Sequence, residues 1–147
     1  MKKILAVLCG IVLLLSLAAC GSQSVREVKS IPANKLTAQE KTAVDFTEGL
    51  YSGNKSKQYK AIDQFAARTS IKGLKEKISV GGFRQQFHAV SVIKGKNIKG
   101  QKGDEFVALL EMKDQNNTVN KRIVVMGSKV LHILSGNTQP YANELGS

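Results

Sequence analysis

Two hydrophobic periods divide this chain, and the switch between them sets its fold class. From Thr37 onward apolar residues recur at the three- and four-residue spacing of a helix face. Thr37-Ala38-Gln39-Glu40 is a capping box, in which the threonine oxygen and the glutamate carboxylate each satisfy an orphan amide of the other's residue. Ala43, Phe46 and Leu50 follow as one stripe, flanked by Val44 and Tyr51, and Gly53-Asn54 stops the helix. A second helix is expected from about Ser56 to Thr69, with Tyr59, Ile62, Phe65 and Ala66 on its apolar side. A short third helix carries Ile71, Leu74 and Ile78, bounded near Gly81-Gly82.

The second half reads as strands. Phe83 to Ile98 is rich in β-formers: Phe87, Ala89, Val90, Val92 and Ile93. Asp104 to Asp114 places Phe106, Ala108, Leu110 and Met112 on one face, with Val107, Leu109 and Glu111 on the other. Gln115-Asn116-Asn117 is turn chemistry. Thr118 to Met126 is the next strand, Gly127-Ser128 a tight turn and Lys129 to Leu134 the last strand. Helices followed by an antiparallel meander predict an α+β fold: N-terminal helices packed on a curved four-stranded antiparallel sheet.

The first twenty residues follow other rules. Met1-Lys2-Lys3 is charged, Ile4 to Leu17 is almost wholly apolar, and Leu17-Ala18-Ala19-Cys20 ends the run with small residues before a cysteine. The apolar stretch is shorter than the roughly 20 residues of a spanning helix, and it has the three parts of a secretory leader. Leu17, Ala18, Ala19 and Cys20 resemble the lipobox of bacterial lipoproteins. That resemblance implies a diacylglycerol on the Cys20 thiol, cleavage just before it and residence on the extracytoplasmic face of the cell membrane. Two acyl chains hold stably where one does not. The expected organisation is a signal peptide over 1–19, a flexible tether over 20–36 and a single domain over 37–147. Once residues 1–19 are removed, Cys20 is the only cysteine left, which excludes an internal disulfide or a cysteine-ligated metal site. Stability must then come from an apolar core, which a chain of this length can bury.

Charge is concentrated in the middle. Residues 55–102 hold twelve basic side chains against two acidic ones, whereas residues 20–54 balance four against four. Lys72, Lys75, Lys77, Lys94, Lys96, Lys99 and Lys102 are the candidates for an anionic-surface patch facing lipid headgroups or wall polymers. A solvated basic face that confers solubility is the alternative. Tyr59, Phe65, Phe83 and Phe87 lie within this block but are spaced as core residues, not as a stacking platform, so nucleic acid is not expected.

The order of elements is also similar to that of nuclear transport factor 2-like domains, cone-shaped α+β rolls. The capped helix from Thr37 to Tyr51 with Ser52-Gly53-Asn54 carries one part of the likeness. The run from Arg122 to Ile133 resembles the closing hairpin. The resemblance covers 37–135 and implies helices laid across a curled sheet, with an interior able to hold a small apolar ligand.

No catalytic constellation assembles from the residues. His88 and His132 fall in expected strands without the further ligands a metal site needs; Asp104-Glu105 at a turn is the nearest acidic pair. Gly95-Lys96-Asn97-Ile98-Lys99-Gly100-Gln101 begins like a phosphate loop, but Gln101 stands where the motif needs lysine, and the expected setting is a basic connection between strands. A Gly-x-Ser-x-Gly elbow is missing, and Asp45 and Glu48 read as an exposed helical face. The expectation is a non-enzymatic binding or interaction module without cofactor or metal. Its partners would be the membrane, through lipid on Cys20, an anionic lipid or wall polymer, or another envelope protein. The alternatives are a passive basic envelope component and an enzyme with its site inside the roll.

Overall fold

In the computed structural model the described residues are 29–100 and 103–135, together with Tyr141 and Leu145. Cys20, Leu17, Ala18, Ala19 and Lys102 lie outside them. Three helices, α1 (Ala38–Leu50), α2 (Lys55–Phe65) and α3 (Arg68–Ser79), precede four strands, β1 (Ala89–Gly100), β2 (Gly103–Lys113), β3 (Thr118–Met126) and β4 (Lys129–Ser135). The strands form one antiparallel sheet in sequence order, so the fold is α+β as expected.

The capping box forms at the start of α1. Thr37 Oγ1 accepts from the Glu40 amide at 3.3 Å, and Glu40 Oε2 accepts from the Thr37 amide at 2.8 Å. Ala43, Phe46 and Leu50 are then fully buried against the sheet. Gly53 takes the left-handed backbone (φ 70°) that turns the chain, and Asn54 Oδ1 caps α2 by accepting from the Lys57 amide at 3.0 Å. α1 and α2 meet at Gly49, where an added Cβ would stand 2.5 Å from the Ala61 Cβ.

α2 ends at Phe65, four residues before the expected Thr69. The reason is tertiary: Ala66 forms an isolated parallel bridge with Val130, and the Ala67 amide donates to the Val130 carbonyl at 2.8 Å. The strand expected from Phe83 begins only at Ala89. Residues 83–87 instead cross the helix layer as an irregular segment, with Phe83 at φ 56°. The Gly95–Gly100 stretch, expected as a connection, lies inside β1. A Cβ at Gly95 would strike the Phe106 ring, and one at Gly100 would strike the Glu105 carboxylate. Both glycines therefore make room for neighbouring side chains.

The register sorts the sheet into two apolar faces. The inner face carries Val92, Phe106, Ala108, Leu110, Met112, Ile123, Val125 and Val130 beneath Phe46, Leu50, Ile62 and Ile78. The outer face carries Val107, Leu109 and Val124, flanked by Ile93, Ile98, Leu131 and Leu134, and it packs with Tyr141 and Leu145. Irregular register at Val92/Lys94 and at Val124/Val125 bends the outer strands. The N-terminal approach is docked as well. The Ile31 amide donates to the Val92 carbonyl at 2.7 Å, Ala33–Lys35 form one 3₁₀ turn, and Ile31 and Leu36 pack on the core. Residues 31–36, expected to be tether, belong to the folded body.

Candidate functional site

The basic residues fall into two groups. Lys72, Lys75 and Lys77 ride on α3, whose start is tied to β4 through Ala67 and through Ser70, whose Oγ donates to the Leu131 carbonyl at 3.3 Å. Lys94, Lys96 and Lys99 lie on β1, at the opposite edge of the sheet. Two of the α3 lysines also have acidic neighbours: Lys75 Nζ is 2.6 Å from Asp63 Oδ1, and Lys72 Nζ is 3.9 Å from Glu76 Oε1. Such exposed pairs contribute little stability, but they neutralise part of the block.

Lys77 differs in its setting. Its Nζ sits 5.1 Å from the centre of the Phe83 ring, a cation–π contact. Phe83 in turn meets Tyr51 edge-on at 5.4 Å between ring centres, and Tyr51 meets Phe87 edge-on at 5.2 Å. The left-handed backbone of Phe83 is unusual for a bulky residue and persists because its surroundings fix it. Buried Gln58 does so, its Nε2 donating to the Leu50 carbonyl at 2.9 Å and to the Phe83 carbonyl at 3.2 Å. Burial raises the Tyr51 phenol above its ordinary value, so it remains a neutral hydroxyl at physiological pH.

Tyr51 and Phe83 of this cluster, with Phe46, form one wall of a cleft of about 310 Å³ between α3 and β4. Ser70, Leu74 and Lys77 of α3, Lys121 of β3 and the whole run Val130–Ser135 of β4 contribute the remainder. A second cleft of about 240 Å³ lies on the other side of Phe83, lined by Lys55, Gln58, Arg84 and Gln86. The larger one combines apolar walls, two lysines and the backbone of an edge strand. These are the groups that bind an extended or anionic partner.

The other candidates are scattered. His88 is exposed just before β1, its amide donating to the Lys113 carbonyl at 2.8 Å, and His132 is exposed on β4. Among the described residues no group of three or more metal-ligating side chains converges. Desolvation, followed by neighbouring Asp45, raises the Glu48 carboxyl, which sits on the exposed side of α1. Asp104 pairs across the hairpin with Lys99, while Glu105 is buried on the outer face and accepts the Tyr141 hydroxyl at 2.8 Å. Phe46, Leu50, Ile62, Phe106, Leu110 and Met112 fill the space between helices and sheet.

The sequence reading missed Lys121 and the aromatic cluster. Lys121 looks like any polar strand residue, and no local spacing places residue 83 against residue 51. The one signal was Gly81-Gly82, which marks a backbone break but not its destination. No protein-family model, curated protein or solved structure matches this chain.

Proposed function

We propose that the protein is a lipid-anchored binding module on the extracytoplasmic face of a bacterial membrane, moored through Cys20, with its contact site in the cleft between α3 and β4. The observation that carries the binding role is the cleft itself: an aromatic wall held in a strained backbone, with Lys77 and Lys121 beside an edge strand. The leader ending in Leu17-Ala18-Ala19-Cys20 carries the location. Among the described residues no helix is long and apolar enough to cross a membrane. The order of helices and strands is in keeping with a nuclear transport factor 2-like roll. A non-enzymatic role is supported by the filled interior and by the use of buried Glu40 as a helix cap and Glu105 as an acceptor on the outer face.

Because Ile31 is docked on β1, only the ten residues Gly21 to Ser30 separate Cys20 from the folded body. Fully extended, ten residues reach about 35 Å, which bounds the distance between Ile31 and the anchored cysteine. A passive basic envelope component is the second reading, favoured by the separation of the lysines onto two edges and by the Lys72–Glu76 and Lys75–Asp63 pairs.

Two measurements test the proposal. Cys20→Ala should abolish metabolic labelling by an alkyne-tagged fatty acid; labelling that persists removes the anchor. A photo-crosslinking side chain at Leu74, inside the cleft, should give adducts of discrete mass in intact cells, and one at Lys94 should not. Identical patterns from both positions would favour the passive role.

A further inference from the structure

Among the described strands β4 has a neighbour on one side only. On its other side a fifth strand is begun and then abandoned. Ala66 bridges Val130 in the parallel sense, Ala67 donates to the Val130 carbonyl, Ser70 Oγ donates to the Leu131 carbonyl, and the chain then turns away into α3. Among the described residues no element pairs with the outer edge of β4 beyond Leu131. The cleft runs along that stretch, bordered by His132 to Ser135. It therefore occupies the lane in which the interrupted strand would have continued.

We propose that this lane receives an extended acidic segment of another protein, which adds a short strand to β4. The inference rests on the binding-module reading and specifies its mode. Backbone groups of an edge strand supply affinity in such additions, and side-chain pockets supply specificity. Four residues of edge, about 13 Å long, accept a strand of similar length. Lys77 on the helix wall and Lys121 on the floor put positive charge on both sides of the lane, so the complementary segment carries Asp or Glu beside its apolar residues. Leu74 and the Tyr51 ring offer the apolar contact.

The test uses the lipidated protein purified in nonionic detergent and a fluorescent octapeptide of alternating valine and glutamate, followed by anisotropy. Saturable binding is expected, weakened about threefold to fivefold by Lys77→Gln and by Lys121→Gln, and unchanged by Lys94→Gln on the far edge. N-methylation of alternate peptide amides should weaken binding more than tenfold, because it removes strand hydrogen bonds while keeping charge. A valine–lysine peptide should not bind. Equal binding of the methylated peptide, or none of the parent peptide up to millimolar concentration, overturns the proposal. So does sedimentation as a dimer that the peptide dissociates, which would make a second copy the occupant. Discrete adducts at Leu74 in cells, without peptide binding, would sink strand addition and leave the binding module standing; absence of both would sink the two together.

Discussion

Gly49→Ala should change sign with its background. In the native chain the new methyl carbon would stand 2.5 Å from the Ala61 Cβ, whereas carbon pairs settle near 3.5–4.0 Å. α1 and α2 must then part by about 1 Å at their closest approach, an overpacking cost of about 1–3 kcal/mol. Replacing a helical glycine by alanine returns at most about 1 kcal/mol. The net expectation is a loss of about 1–2 kcal/mol. Ala61→Gly removes the opposing methyl and costs about 1 kcal/mol by itself. In that background the Gly49→Ala methyl meets only ordinary contacts at 3.7 Å, the residue 61 Cα and the Lys57 carbonyl oxygen, so the propensity gain remains and it should stabilise by about 0.5–1 kcal/mol. Urea titration of the four proteins, followed by far-ultraviolet circular dichroism, gives the cycle directly, with m-values checked for constancy. If Gly49→Ala carries the same sign and size in both backgrounds, the close helix contact is not what selects glycine.

Three further outcomes follow from single groups. Thr47 is buried and its Oγ1 has no hydrogen-bond partner, so the isosteric Thr47→Val should stabilise by about 1 kcal/mol, and a lower melting temperature would contradict it. The Tyr141 phenol, desolvated and donating to Glu105, is pushed up from 10.0 to about 12. Its folded value exceeds the unfolded one, so its stabilisation is intact below pH 10 and drains away toward pH 12; Tyr141→Phe should flatten that alkaline limb and remove a late step from the ultraviolet titration. The Asp114 carboxyl is held below its ordinary 3.8 by the Gln85 side-chain amide and by the Asn116 and Asn117 backbone amides. That stabilisation is present above 3.8 and is lost as pH falls through the lower folded value, so Asp114→Ala should flatten the acid limb of a stability–pH curve.

The elements most legible in the sequence are those whose determinants are local. Thr37 to Glu40 announces α1 because a capping box needs only four residues. Alternation along Phe106–Met112 fixes β2 because a strand's faces are set by its own period. What escapes is decided at a distance. α2 gives up its last turn because Ala66 finds Val130, sixty-four residues on. Phe83 and Phe87, good β-formers, leave the sheet because Tyr51 and Gln58 capture them from the helix layer. The candidate cleft is of the same kind: it joins α3, β3 and β4, and its two lysines are forty-four positions apart in sequence. The central lysine block, conspicuous as a run of charge, is dispersed by the fold because α3 and β1 stand at opposite margins.

β2 is greasy on both sides, and its two covers come from segments that precede and follow it in sequence. The helices are made before it, but Tyr141 and Leu145 follow it by some thirty positions. A polypeptide that leaves a ribosome or an export pore amino end first cannot seal this strand until Leu145 is free. For that interval the half-built sheet exposes a flat apolar surface of the sort that aggregates. Closure of the outer face is thereby timed by the release of Tyr141 and Leu145, and replacing both by serine should show up as lower yield before it shows up as altered shape.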